Sequence, residues 1–103
     1  MYDNWHTLTL DEQLGNAGSD YERALRWKAK GQQALFENAF ARTLEQIDLT
    51  LADERWAGAR RREIARAREE VCREILYEDN ASSAAELQRY FLAFATAARR
   101  QVG

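Results

Sequence analysis

Residues 9–31 read TLDEQLGNAGSDYERALRWKAKG, and this stretch decides whether the chain folds around three helices or four. Thr9 stands where an N-cap oxygen is needed, and Glu12 follows three residues later. That is the spacing of a capping box, in which each side chain satisfies an otherwise orphaned backbone amide. Leu10, Leu14, Ala17, Tyr21, Ala24 and Leu25 then recur at intervals that hold them on one helix face. Gly31 fits a C′ stop, with Lys28 and Lys30 where cations complement the C-terminal dipole. Gly15 and Gly18 run against this pattern, since each costs about 1 kcal/mol relative to alanine inside a helix. Either the helix starts near Ser19, or the glycines let a neighbouring helix approach closely.

Three further segments carry helical periodicity. Residues 33–52 place Phe36, Phe40, Leu44, Ile47 and Leu51 on one stripe, with Leu35 and Leu49 as a second flank. Two apolar flanks suit a bundle helix that touches two neighbours. The short link at Gly31 makes the first two helices an antiparallel hairpin. Residues 53–58 read as a short connection, with Trp56 folding back onto the bundle end. Residues 59–77 present Ile64, Ala67, Val71 and Ile75 on one face. A loop is expected over 78–82. A second capping box, Ser83 to Glu86, then opens a helix over 83–101 with Leu87, Tyr90, Phe91, Phe94 and Ala98 on its face. The expected fold is all-α: one domain over 1–103, a compact antiparallel up-down four-helix bundle. Its variant has three long helices and an irregular N-terminal helix.

Composition agrees. The 103 residues are 46% hydrophobic and 31% charged, enough apolar content to offset the entropy of ordering one domain. Proline is absent, as long helix interiors require. The single cysteine, Cys72, has no intramolecular disulfide partner. With no signal-like start and no run of about 18 apolar residues, the expectation is a cytoplasmic protein that does not enter membranes.

Charge is unevenly spread. Residues 1–22 carry five acids and no Lys or Arg, whereas residues 55–73 carry seven arginines against three glutamates. At about 100° per residue, Arg55, Arg62, Arg66 and Arg73 project within a narrow arc, the form of a phosphate-reading stripe. Glu69 and Glu70 can neutralise that arc internally, and no aromatics interleave with it for base stacking. Arg60 falls on the same side as Ile64 and Val71. A charge there is either paired within the bundle, with Glu45 or Asp48 as partner, or snorkelling at its end.

Catalytic patterns are missing. Glu70, Glu74 and Glu78 stack at helical spacing, but arginines interrupt them and they read as lying away from the apolar face. The only histidine, His6, precedes the first helix, so no Glu-x-x-His pair exists for a di-iron bundle. No Gly-rich phosphate loop is present. No metal and no cofactor is expected, and the reading leans away from an enzyme.

The stretch Ala29-Lys30-Gly31 through Ala39-Phe40-Ala41 and Leu44-Glu45-Gln46-Ile47 resembles the helical hairpins of the HEPN superfamily. It is similar, more faintly, to a tetratricopeptide hairpin, but the internal repeats that array requires are absent. Ribonuclease members of HEPN carry an Arg and a nearby His on a late helix. No His follows position 6, so the resemblance implies a non-catalytic member. The chain also has the look of small prokaryotic helical proteins. The functional expectation is a non-enzymatic helical interaction module, self-associating or bound to a protein partner. Trp27, Trp56, Leu35 and Leu49 are the interface candidates, and Leu92 adds to the apolar surplus. The alternative is a nucleic-acid or other polyanion binder through the Arg-rich third helix.

Overall fold

Among the described residues four α-helices follow one another, with ends within two residues of those expected: α1 Leu10–Ala29, α2 Gln33–Leu51, α3 Ala59–Tyr77 and α4 Ala81–Val102. Short 3-10 turns at Trp5–Thr7 and Glu54–Trp56 precede α1 and α3. The computed structural model describes residues 4–77 and 81–102, with the backbone alone at 77, 81–83, 101 and 102. The first capping box is formed: the Glu12 amide donates to Thr9 Oγ1 at 3.1 Å, and the Thr9 amide donates to Glu12 Oε1 at 2.8 Å. The second is corrected. α4 is already helical at Ala81, so Ser83 lies inside its first turn instead of capping it. Residues 78–80 of the expected loop, Glu78 among them, lie outside the described residues.

Neighbouring helices run antiparallel. Gly15 of α1 faces Ala95 of α4, and Gly18 faces Phe91. Asp48 of α2 meets Arg68 of α3, and Glu63 of α3 meets Tyr90 of α4. The helices therefore follow an up-down order around one core of Leu14, Ala17, Tyr21, Ala24, Phe36, Ala39, Ile47, Ile64, Val71, Ile75, Leu87 and Phe91. α1 packs more closely against α2 and α4 than α3 does against its neighbours. This decides the question left by the glycines: α1 is helical through both, and they serve close packing. Gly31 and Gly58 both have positive φ, 72° and 79°, and end or precede helices where a side chain would be strained.

The buried line of α2 differs from the expected stripe. Phe36 and Ile47 are buried as expected, but so are Ala39, Thr43, Gln46 and Thr50, while Phe40, Leu44 and Leu51 are only partly so. Short side chains permit the closest approach, so the deepest line is not the most apolar one. Thr43 and Thr50 tolerate burial because their hydroxyls donate to the Ala39 and Gln46 carbonyls of their own helix, both at 2.8 Å.

Glu74 also departs from expectation. It lies about 20° from Ala67 around α3, hence on the core face, and is 6% exposed. Its Oε1 and the fully buried Tyr21 hydroxyl have no hydrogen-bond partner. Burial, and secondarily the Glu74 charge, push the Tyr21 phenol up to about 12. Tyr21→Phe keeps the ring packed on Phe91, 5.8 Å between centroids, and removes the orphaned hydroxyl. It is expected to raise stability by about 1 kcal/mol in urea unfolding at neutral pH. Above about pH 10 the unfolded chain sheds this proton before the folded chain does, so the wild type loses stability as pH rises. The variant should lose less over that range. A variant that is less stable at pH 7 contradicts this account.

Candidate functional site

The densest polar constellation lies at one end of the bundle and is centred on Asp53, which is 4% exposed. The Arg55 side chain donates to both Asp53 oxygens, with Nη2 at 2.7 Å from Oδ2, and the Arg55 amide donates to Oδ1. Gln13, fully buried on α1, donates from Nε2 to Asp53 Oδ2 at 3.1 Å and to the Trp5 carbonyl at 2.8 Å. Its Oε1 accepts from the Trp56 indole at 2.8 Å. The Trp5 indole donates to Thr50 Oγ1 at 3.3 Å, and Arg55 Nη2 reaches the Leu8 carbonyl at 2.8 Å. Seven residues from four segments thus tie the N-terminal turn to the α2–α3 connection. Trp56 folds back, as expected, and Trp5 is buried, but the roles of Gln13 and Asp53 were not anticipated. A glutamine beside the apolar stripe of a helix carries no sequence signal of burial. The Asp53 carboxylate and the Gln13 amide are occupied by these partners, and the exposed His6 places Nδ1 3.6 Å from Asp53 Oδ2.

The arginine arc of α3 is split by the same local chemistry. Arg55 belongs to the Asp53 cluster. Arg73 pairs with Glu70 at 3.6 Å, while Arg62 and Arg66 are exposed with no ion pair among the described residues. Arg60 is not buried, and neither Glu45 nor Asp48 pairs with it. It sits in the first turn of α3, where the bundle ends, and its guanidinium reaches Glu63 at 3.0 Å and lies 6.0 Å from the Phe94 ring. The snorkelling alternative is therefore the one realised. Asp48 instead pairs with Arg68 at 2.7 Å, and Glu45 is exposed.

Tyr90 joins α4 to this group by donating its hydroxyl to Glu63 Oε1 at 2.9 Å. Burial, then the bond and charge of Glu63, raise its phenol well above the ordinary tyrosine range. Below it, between α3 and α4, an open groove of about 310 Å³ has Ala67 and Leu87 on its floor and Glu70 and Glu86 among its walls.

A different seam has the geometry of a contact surface. Between α1 and α4, Gly15, Gly18, Ser19 and Ala95 floor a trough with a cavity of about 120 Å³. It continues past Asn16 and Ala98 towards Leu8. Leu92 stands on its rim and is 55% exposed. Glu22 and Gln88 border one end and Arg99 the other, all exposed. The glycines create the trough, because a side chain at either position would fill it against α4. Leu92 falls outside the apolar face of α4, and together with the two glycines inside α1 it is the sequence signal pointing to this site.

The interface candidates are dispersed. Trp27 and Leu49 are half-buried and Trp56 is held by Gln13, while Leu35 remains 43% exposed. Among the described residues no three His, Cys, Asp or Glu side chains are grouped to hold a metal ion. No described helix is long and apolar enough to cross a membrane. Compared with protein-family models, curated proteins and solved structures, the chain has no match.

Proposed function

We propose that the protein is a non-enzymatic interaction module whose α1–α4 seam associates with a second copy of the chain. The observation that carries this reading is Leu92, more than half exposed on the rim of a trough floored by glycine and alanine. An exposed large apolar residue is unremarkable alone, but one beside a complementary concavity is the pattern of a self-associating surface. A two-fold-related copy lays each Leu92 over the other's glycine floor. Running antiparallel, it brings Glu22 at one end of each trough to Arg99 at the other end of its mate. Such opposite charges fix register more than they add affinity. We take the module to work in the cytoplasm, where Cys72, which is free, stays reduced.

Light scattering coupled to gel filtration tests the reading. The wild type is expected to run at twice the monomer mass at tens of micromolar. Leu92→Glu should weaken dimerisation by about tenfold or more, because it places a charge at the centre of the contact. Glu22→Arg should weaken it too, and the double exchange Glu22→Arg with Arg99→Glu should restore it. A wild type that stays monomeric in this range, or a dimer indifferent to Leu92→Glu, overturns the reading.

A further inference from the structure

The second half of α1 carries a basic face whose cavity is lined by other residues than the α1–α4 seam. Residues 23–30 contain Arg23, Arg26, Lys28 and Lys30 and no acid, in a chain whose net charge is −2. Lys28 is engaged in the fold: its ammonium donates to the Ile75 carbonyl and lies over the Phe36 ring at 5.8 Å. The other three cations share one face with Trp27, at positions i, i+3, i+4 and i+7 of the helix. Arg23, Arg26, Trp27 and Lys30 together line a cavity of about 220 Å³ that no carboxylate lines. Arg23 gives one amine, Nη1, to Asp20 at 2.7 Å and keeps its remaining donors; its side chain is 48% exposed. Arg26 is exposed with no ion pair among the described residues. Lys30 Nζ lies over the Trp27 ring, 5.5 Å from its centroid, on a flexible stem that can carry it from the ring to a phosphate.

The helix dipole accounts for cations in the last turn. It accounts neither for the remaining donors of Arg23, which is nearly two turns from the end and meets Asp20 through Nη1 alone, nor for a half-exposed indole among like charges three and four residues apart, which repel. An anion with a planar, polarizable face accounts for both: its charge offsets the repulsion, and its ring stacks on the indole. Phosphate groups joined to unpaired bases have this chemistry, because every base presents a π-face and every linkage a negative charge. The three cations span about 10 Å along the helix, so they touch a short run of backbone while one base lies on Trp27. We propose that this face of α1 binds single-stranded nucleic acid, with Arg23, Arg26 and Lys30 on phosphates and Trp27 as the stacking platform.

Fluorescence anisotropy of a labelled single-stranded oligonucleotide, a dozen nucleotides long, is the test, run at about 50 mM salt where phosphate contacts are strong. Arg26→Ala and Lys30→Ala are each expected to weaken binding about threefold or more and to flatten its salt dependence. Trp27→Ala should cost about tenfold and Trp27→Phe much less. Because Trp27 also packs on the core, circular dichroism must confirm that its variants fold. The Arg26 and Lys30 variants, at exposed positions, decide the matter if they do not. Arg62→Ala with Arg66→Ala on α3 should leave affinity unchanged, and a duplex of the same sequence should bind more weakly. The proposal is overturned by absence of binding under these conditions, by loss through the α3 pair instead, or by equal affinity for the duplex. It is also overturned if anionic phosphatidylserine vesicles, and not the oligonucleotide, bind with dependence on Arg26 and Lys30.

Discussion

Gly18→Ala should destabilise the bundle by about 2 kcal/mol, the opposite of what helix propensity alone predicts. Propensity favours alanine over glycine by about 1 kcal/mol in a helix interior. Packing opposes it. A Cβ at Gly18 would overlap Phe91 Cβ and lie 2.9 Å from its Cγ. Phe91 is itself buried against Tyr21 and Tyr90, with ring centroids 5.8 and 5.3 Å away, so it has no direction in which to yield. Relief requires α4 to move off α1, and such overpacking costs about 1–3 kcal/mol and occasionally more. The net loss corresponds to a fall in Tm of about 10 °C for a domain of this size. Gly15→Ala is the internal comparison. Its Cβ would lie 3.0 Å from Ala95 Cα and 3.3 Å from Ala95 Cβ, a milder conflict against a small residue. There propensity and packing nearly cancel, and the change should be well under that at position 18. Calorimetry on both variants checks the ranking. A Gly18→Ala protein that melts above the wild type would show that α1 and α4 are held apart by more than the structure indicates.

Asp53→Ala should cost about 2–3 kcal/mol, the largest effect expected of any single polar substitution in the chain. The carboxylate is buried and accepts from Gln13, from the Arg55 side chain and from the Arg55 amide. Bonds to a charged acceptor are the stronger class, and removing this one leaves Gln13 Nε2 buried with only the Trp5 carbonyl. Arg55 itself is largely exposed and recovers water, which holds the cost below that of a fully buried pair. The pH dependence has a definite sign. Hydrogen bonds from the Arg55 side chain, opposed by burial and supported by Gln13, hold the Asp53 carboxyl well below the usual carboxylate range. A depressed folded value means the stabilisation is fully present above about pH 4, where the unfolded aspartate titrates. It declines as pH falls further towards the folded value. The difference in unfolding free energy between wild type and Asp53→Asn should therefore be constant above about pH 5 and shrink below about pH 4. A difference independent of pH across that window would place the anchor elsewhere in the cluster.

What was legible in the sequence is local and periodic. Thr9 with Glu12, Gly31, and the spacing of apolar residues are statements about a helix and its own ends, and they hold within two residues. The absence of proline and four stripes of matching length were enough for an up-down bundle. What failed were inferences about how deep a side chain lies and which neighbour it meets. Arg60 lies at the angle of a buried residue but at the height of the bundle end, so it reaches solvent. Glu74 lies at a core angle in the last turn of α3, and is buried without a partner for Oε1. Ser83 has cap chemistry, yet α4 starts two residues earlier. Gln13, Thr43 and Thr50 are polar and buried because tertiary or same-helix acceptors receive their protons.

Both proposed surfaces sit on that boundary. Leu92 is visible as an apolar residue off its stripe, and the four residues of the basic face are visible as a spacing. By itself the sequence determined where helices begin and end and which broad face each one buries, because those follow from backbone capping and a 3.6-residue period. Only the tertiary structure decided that Gly15 and Gly18 bring α4 into contact with α1. It likewise decided that a glutamine and an aspartate 40 residues apart share a buried hydrogen bond. The physical reason is that interhelical distance and axial height are set by the volumes of side chains on two helices at once, and no property of either helix alone contains them.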